Sequence, residues 1–162
     1  MKTRKRRRLE GKTDYLNRKN LLKSGKPRIV FRKTNKYVIA QYVESKEAKD
    51  KIKIGMNSKI LLKYGWPKQA QGSLKTIPAS YFLGFLIGKK IVKEKLENPI
   101  VDFGMLRTIP KNKLFGFLKG LIDSGIKINC KEENFPSEEK IEGKNLKNKI
   151  NFKEIKSKIE NE

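Results

Sequence analysis

Between Lys26 and Glu44 the chain reads KPRIVFRKTNKYVIAQYVE, and its period of two leaves few folds open. In Arg28–Lys33, Ile29 and Phe31 point to one side of an extended strand, while Arg28, Val30 and Arg32 point to the other. In Tyr37–Val43, Val38, Ala40 and Tyr42 alternate with Tyr37, Ile39, Gln41 and Val43. Alternating β-branched and aromatic residues of this kind specify strands with one face in a core. The two strands join at Thr34-Asn35. Asn-Lys is a permissive turn, weaker than Asn-Gly, because asparagine tolerates a left-handed backbone. The hairpin buries one side and offers arginine, glutamine and tyrosine at its edge and tip.

The sequence around this hairpin is cationic. Hydrophobic residues are 36% of the chain and charged ones 35%, so the core is modest and some segments lie outside it. At 162 residues the prior is one domain. A net charge of +23 points to a polyanion as partner. Arginine is the more telling cation, because its planar fork grips phosphate with two hydrogen bonds and stacks on bases. The arginines are Arg4, Arg6, Arg7, Arg8, Arg18, Arg28, Arg32 and Arg107, all but the last near the amino end. One cysteine, Cys130, excludes an internal disulfide and a cysteine-based zinc site, and histidine is absent. Arg4–Arg8 is followed by polar sequence rather than by the apolar segment of a secretory signal. The longest apolar run, Tyr81–Gly88, is far short of a membrane span. The expectation is a cytoplasmic protein without a membrane contact.

Residues 1–25 form a basic arm that ends in a short helix, Asp14–Ser24, with Thr13 as its cap and Gly25 as its stop. Like charges and scarce apolar surface keep the first twelve residues from folding alone. The arm either makes an ordered polyanion contact or is a solvated tail. Tyr15 is open to packing or to base stacking. Residues 26–130 form the domain. After the hairpin come a loop at Ser45–Lys51, a third strand near Ile52–Met56, and a short helix at Lys59–Tyr64 that Ser58 caps. Trp66 beside the next turn is a core plug or a stacking platform. A flexible loop spans Lys68–Lys75, and Pro78 opens a helix, capped by Thr76, that runs to about Lys95. Within it Gly84 and Gly88 imply close packing of helix on sheet. Pro99–Phe103 is a buried strand, Asn112 caps a second amphipathic helix stopped by Gly125, and Ile126–Cys130 is a short last strand. Residues 131–162 form a nearly neutral tail, or a helix that docks on a partner.

The order βββ-α-β-α-(β) is an α/β fold with a mixed sheet and helices packed on it, and matches ribonuclease H-like topology. A nuclease of that build needs converging carboxylates for paired metal ions, the first of them on the first strand. Here that strand carries Arg28 and Arg32, while Glu44, Asp102 and Asp123 are scattered singles. No phosphate-cradling glycine motif and no general base for serine chemistry are present. The reading is a binding protein, with no enzyme activity, no cofactor, no metal and no small-molecule substrate.

Several motifs in order sharpen this. They are KTDYLNRKNLLKSGKPRIVFRKTNKYVIAQ (Lys12–Gln41), Lys63-Tyr64-Gly65-Trp66, IPASYFLGFLIGKK (Ile77–Lys90) and DFGMLR (Asp102–Arg107). Phe117-Leu-Lys-Gly120, Ile122-Asp-Ser-Gly125 and Phe135-Pro-Ser-Glu138 follow. Together these resemble the eighteenth-protein family of the large ribosomal subunit, the 5S rRNA-binding proteins, in archaeal and eukaryotic-type form, from roughly Arg6 to Leu146. The resemblance implies a noncatalytic ribosomal constituent in the central protuberance that attaches 5S rRNA to the large-subunit rRNA beside neighbouring large-subunit proteins. It implies RNA contacts at Arg6, Arg7, Arg8, Lys12, Tyr15, Arg18, Arg28, Arg32, Lys33, Asn35, Lys36 and Gln41, with Trp66 and Arg107 added. A basic chromatin-type module for DNA, and a ribonuclease H-like nuclease, are the alternatives to test.

Overall fold

The alternation in the hairpin is realised as two antiparallel strands, β1 (Arg28–Lys33) and β2 (Val38–Lys46). Ile29 stands opposite Tyr42 and Phe31 opposite Ala40, all buried on one face. The turn between them does not use a left-handed asparagine, since Asn35 keeps negative φ. Thr34 closes it instead. Its hydroxyl donates to the Tyr37 carbonyl at 2.6 Å and accepts from the Tyr37 amide at 3.0 Å.

In this computed structural model the described residues are 3, 5–47, 49–67, 74–146 and 148–161. Arg4 and most of the loop expected at residues 68–75 lie outside them. Two short helices, α1 (Arg6–Leu9) and α2 (Tyr15–Lys23), precede the sheet. Asp14, rather than the expected Thr13, caps α2, accepting from the Leu16 and Asn17 amides at 3.0 and 3.1 Å. A carboxylate is the better acceptor at that helix end, where the dipole is positive.

The third strand, β3 (Lys49–Asn57), is longer than its apolar centre indicates. Where a loop was expected at Ser45–Lys51, β2 and β3 stay paired through Lys46 and Lys49, and Glu47 turns the chain with φ 49°. A bulge at Tyr42/Val43 absorbs the register shift. A 3-10 helix, Ser58–Tyr64, follows and ends at left-handed Gly65. Its cap is Asn57, which accepts from the Lys59 amide at 3.1 Å. Ser58 is buried and serves tertiary structure, donating to the Leu74 carbonyl at 2.6 Å.

Helix α3 (Ile77–Lys93) covers the apolar face of the sheet, and β4 (Ile100–Asp102) then pairs in parallel with β1. The strand order is β3-β2-β1-β4, an α/β mixed sheet compatible with the ribonuclease H-like topology. The fifth strand expected at Ile126–Cys130 does not form. That stretch is irregular, with Ile126 buried, because three residues of β4 offer too short a ladder to extend. No described helix is long and apolar enough to cross a membrane.

Helix α4 (Lys113–Asp123) starts at Asn112, whose side chain accepts from the Leu114 amide at 2.7 Å. It explains the small residues of α3, which serve helix-on-helix packing rather than the helix-on-sheet packing expected. A Cβ on Gly84 would collide with the Phe117 carbonyl, and one on Gly120 with the Tyr81 carbonyl. The backbones touch with no room between them.

The carboxyl-terminal segment is part of this same core. Helices α5 (Glu138–Glu142) and α6 (Phe152–Glu160) bury Ile141, Ile155 and Ile159. Phe152 packs on the rings of Tyr81 and Phe82, with centroids 5.5 and 4.8 Å away. The segment expected as a tail, or as a helix for a partner, therefore docks on the chain itself.

Gly120→Ala is expected to destabilise the fold by about 2–3 kcal/mol, although alanine is the better helix former by about 1 kcal/mol. Gly55→Ala, where a Cβ makes only a 3.6 Å contact with Ile52, is the neutral control. Urea unfolding of both checks this.

Burial, with Glu44 and Glu97 adding to it, pushes the Tyr42 phenol up to about 12 while its hydroxyl donates to the Glu97 carbonyl at 2.9 Å. A raised phenol stabilises the fold fully below its ordinary value near 10 and ceases to do so as pH climbs toward the folded value. Melting temperature should therefore fall between those limits while phenolate absorbance rises.

Candidate nucleic-acid interface

One face of the sheet has no helical cover of the kind that α3 gives the other. The pattern that buries Ile29 and Phe31 turns Arg28, Val30 and Arg32 to this second face, with Ile39, Gln41 and Val43 beside them on β2. The basic arm lies along it. Arg7, Lys12 and the Asp14, Asn17, Arg18 side of α2 form one wall of a cleft of about 300 Å³, and the sheet forms the other. Neither α1 nor α2 has a buried residue, so the arm is held by polar contacts.

The floor of the cleft is an ion cluster. Arg28 is buried, its side chain only 5% exposed, and its guanidinium lies 2.8 Å from Asp50 and 3.5 Å from Asp102. It also donates to the Ser45 hydroxyl at 2.9 Å. Arg18 reaches Asp50 from α2 at 3.6 Å, which ties the arm to β3. Burial alone would raise the Asp50 carboxyl. The Ser45 hydrogen bond and the Arg28 and Arg18 charges outweigh that and hold it below its ordinary value. Asp102 accepts from the Gly104 amide at 2.7 Å and pairs with Arg32 at 3.3 Å. A buried cation needs such partners, because desolvating it alone costs far more than folding supplies.

The expected contact residues fall into three groups. Arg6, Arg8, Lys12, Arg18, Lys33, Asn35, Lys36 and Arg107 are exposed. Arg7, which donates to Thr13 at 3.0 Å, also lies on the exposed arm. Half-buried Gln41 and Arg32 line the cleft, and half-buried Tyr15 carries Lys5 over its ring at 4.5 Å. Arg28 and Trp66 are inside. Trp66 is 2% exposed and belongs to the hydrophobic core, and buried Arg28 turns its terminal nitrogens to Asp50, Asp102 and Ser45, so neither presents a surface to a ligand.

On β3, Lys49, Lys51 and Lys53 extend the cationic surface along the sheet edge. The single-sequence reading missed Lys113, whose ammonium is pulled below its ordinary value by burial and by the charges of Lys33 and Lys75. Nothing in the local sequence brings those three lysines together. The carboxylates weighed for catalysis are all engaged: Glu44 with Lys53 at 3.5 Å, Asp123 with the Tyr81 hydroxyl at 2.8 Å, and Asp102 as above. Among the described residues no acidic cluster that would hold a metal ion is found.

Comparison with known proteins agrees with a cationic, noncatalytic surface. Residues 1–99 match the family model of ribosomal large subunit proteins 60S L5 and 50S L18. The chain is also 40% identical over 141 residues to the large ribosomal subunit protein uL18 of Korarchaeum cryptofilum, an alignment spanning 87% of this chain and 70% of that protein. The chain belongs to this ribosomal family. It is accordingly a structural constituent of the large subunit, at work on cytoplasmic ribosomes, and not an enzyme. On this face Asp50 and Asp102 are paired with the arginines beneath and beside them, so their charge is largely compensated.

Removing Asp102 strands Arg28 with a partial set of partners. Asp102→Ala should cost about 3 kcal/mol or more in urea unfolding, and Asp50→Ala less, because Asp50 is partly solvated.

Proposed function

We propose that this ribosomal protein binds 5S rRNA and attaches it to the large-subunit rRNA in the central protuberance, next to neighbouring large-subunit proteins. The observation that carries the reading is the charge distribution across the cleft. A basic arm without buried anchors faces a sheet surface whose acids are already paired, so the uncompensated cations all point outward.

Exposed arginines and lysines of the arm, Arg6, Arg7, Arg8, Lys12 and Arg18, neutralise phosphates and release condensed counterions. Lys33, Asn35 and Lys36 at the hairpin turn, and Arg107 in the loop after β4, extend the contact to a second stretch of backbone. Sequence discrimination comes from irregular RNA, because the deep groove of an A-form duplex excludes side chains. The two short arm helices order fully on RNA, so part of the interaction energy is spent on fixing them.

Co-purification of the full chain with RNA, followed by identification of that RNA, tests the reading directly. Replacing Arg6, Arg7 and Arg8 together with alanine should make the plot of log affinity against log salt shallower by roughly two to three. Replacing Lys140 and Lys144 should leave it nearly unchanged. Equal binding to 5S rRNA and to duplex DNA at matched salt would overturn the proposal in favour of a chromatin-type module.

A further inference from the structure

Arg32 is held unlike the other surface arginines. One terminal nitrogen donates to the Phe31 carbonyl at 2.8 Å and to the Asp102 carbonyl at 3.1 Å. The other donates to the Asp102 carboxylate at 3.3 Å. The fork that would clasp a phosphate is therefore turned inward and occupied.

Gly104 covers one side of the group. A Cβ built there would lie 3.1 Å from the Arg32 Cζ, 3.1 Å from Nη1 and 3.2 Å from Nη2. A point equidistant from those three atoms sits over the guanidinium plane rather than at its rim. Gly104 has φ 60°, a conformation natural to glycine, so the chain passes flat across the group with only a hydrogen between. Yet the side chain remains 44% exposed. With both terminal nitrogens engaged and one face roofed, the other face is left open. Around the same cleft lie Val30, Gln41 and Met105, the last 53% exposed although apolar.

We propose that this open face is a nucleobase-stacking subsite. An unpaired RNA base lies on the Arg32 guanidinium plane, with Met105 and Val30 giving apolar contact and the Gln41 amide reaching the base edge. A planar cation fixed in place suits stacking, since its orientation is settled before the base arrives. The arm arginines, exposed and without a buried carboxylate against both terminal nitrogens, take the phosphates instead. This inference rests on the RNA-binding reading and adds a division of labour within it: affinity that depends on salt comes from the arm, and affinity that does not comes from Arg32.

The test is a titration of the full chain against a 5S rRNA transcript at several salt concentrations. Arg32→Lys keeps the charge but loses the plane. It should weaken binding roughly tenfold or more, within the range for losing one stacked base, with the salt slope unchanged. Arg8→Ala should instead lower the slope by about 1. Because Arg32 also touches Asp102, the exposed Met105→Ala is the second variant. It should lose affinity severalfold with the wild-type slope and the wild-type melting temperature. The stacking subsite is overturned if Arg32→Lys binds like wild type, if Arg32→Ala lowers the slope as much as Arg8→Ala does, or if Met105→Ala leaves affinity unchanged. A wild-type chain that ignores the transcript sinks the RNA-binding reading itself, a result distinct from these.

Discussion

The buried guanidinium of Arg28 joins all four strands of the sheet. From the middle of the sheet it meets Asp102 on β4, and Asp50 and Ser45 on β3 and β2. Through Asp50 it is coupled to Arg18 on the arm. A cation this far from water is sustained only by partners of opposite charge, so its presence dictates that all three strands and α2 stay in register around it. The cluster stabilises little by itself, since desolvation offsets most of the Coulomb attraction. What it does is fix one arrangement of strands and arm, and neutralise the acids that would otherwise repel a polyanion.

The two faces of the sheet divide the work. On the apolar face, small residues let α3 and α4 approach to backbone contact, and the aromatic rings of Phe31, Phe117, Tyr81 and Phe152 fill the space around them. Packing of that density leaves the sheet a firm plate. The opposite face has no such cover, and its exposed cations repel each other in the absence of a ligand. The fold thus sets an exposed cationic face on a packed support, with the arm joined to it by the Arg18–Asp50 ion pair and without a buried residue in its helices.

Much of this was legible in one sequence. Ile29, Phe31, Val38, Ala40 and Tyr42 announced the buried face, and Asn112 and Gly125 the start and stop of the second amphipathic helix, because those signals are local and stereochemical. The surface cations of the arm were equally plain. The misreadings have two origins. Asp14 and Asn57 displaced neighbouring Thr13 and Ser58 as caps because several residues in a row were chemically competent. Arg28, which reads as a phosphate contact by composition, is inside because Asp50 and Asp102 arrive from 22 and 74 residues away. Trp66 and the carboxyl-terminal isoleucines joined the core for the same reason, their partners being distant in the chain.

What the sequence determined alone was periodicity, charge and the family to which the chain belongs: which residues alternate, where the cations crowd, and which motifs follow one another. Each depends on neighbours a few positions apart or on a simple sum. Only the tertiary structure decided which cations are free. Charge is a property of a residue, but its availability is set by what folds against it, and Arg28, Arg32 and Arg8 carry the same group in three different states.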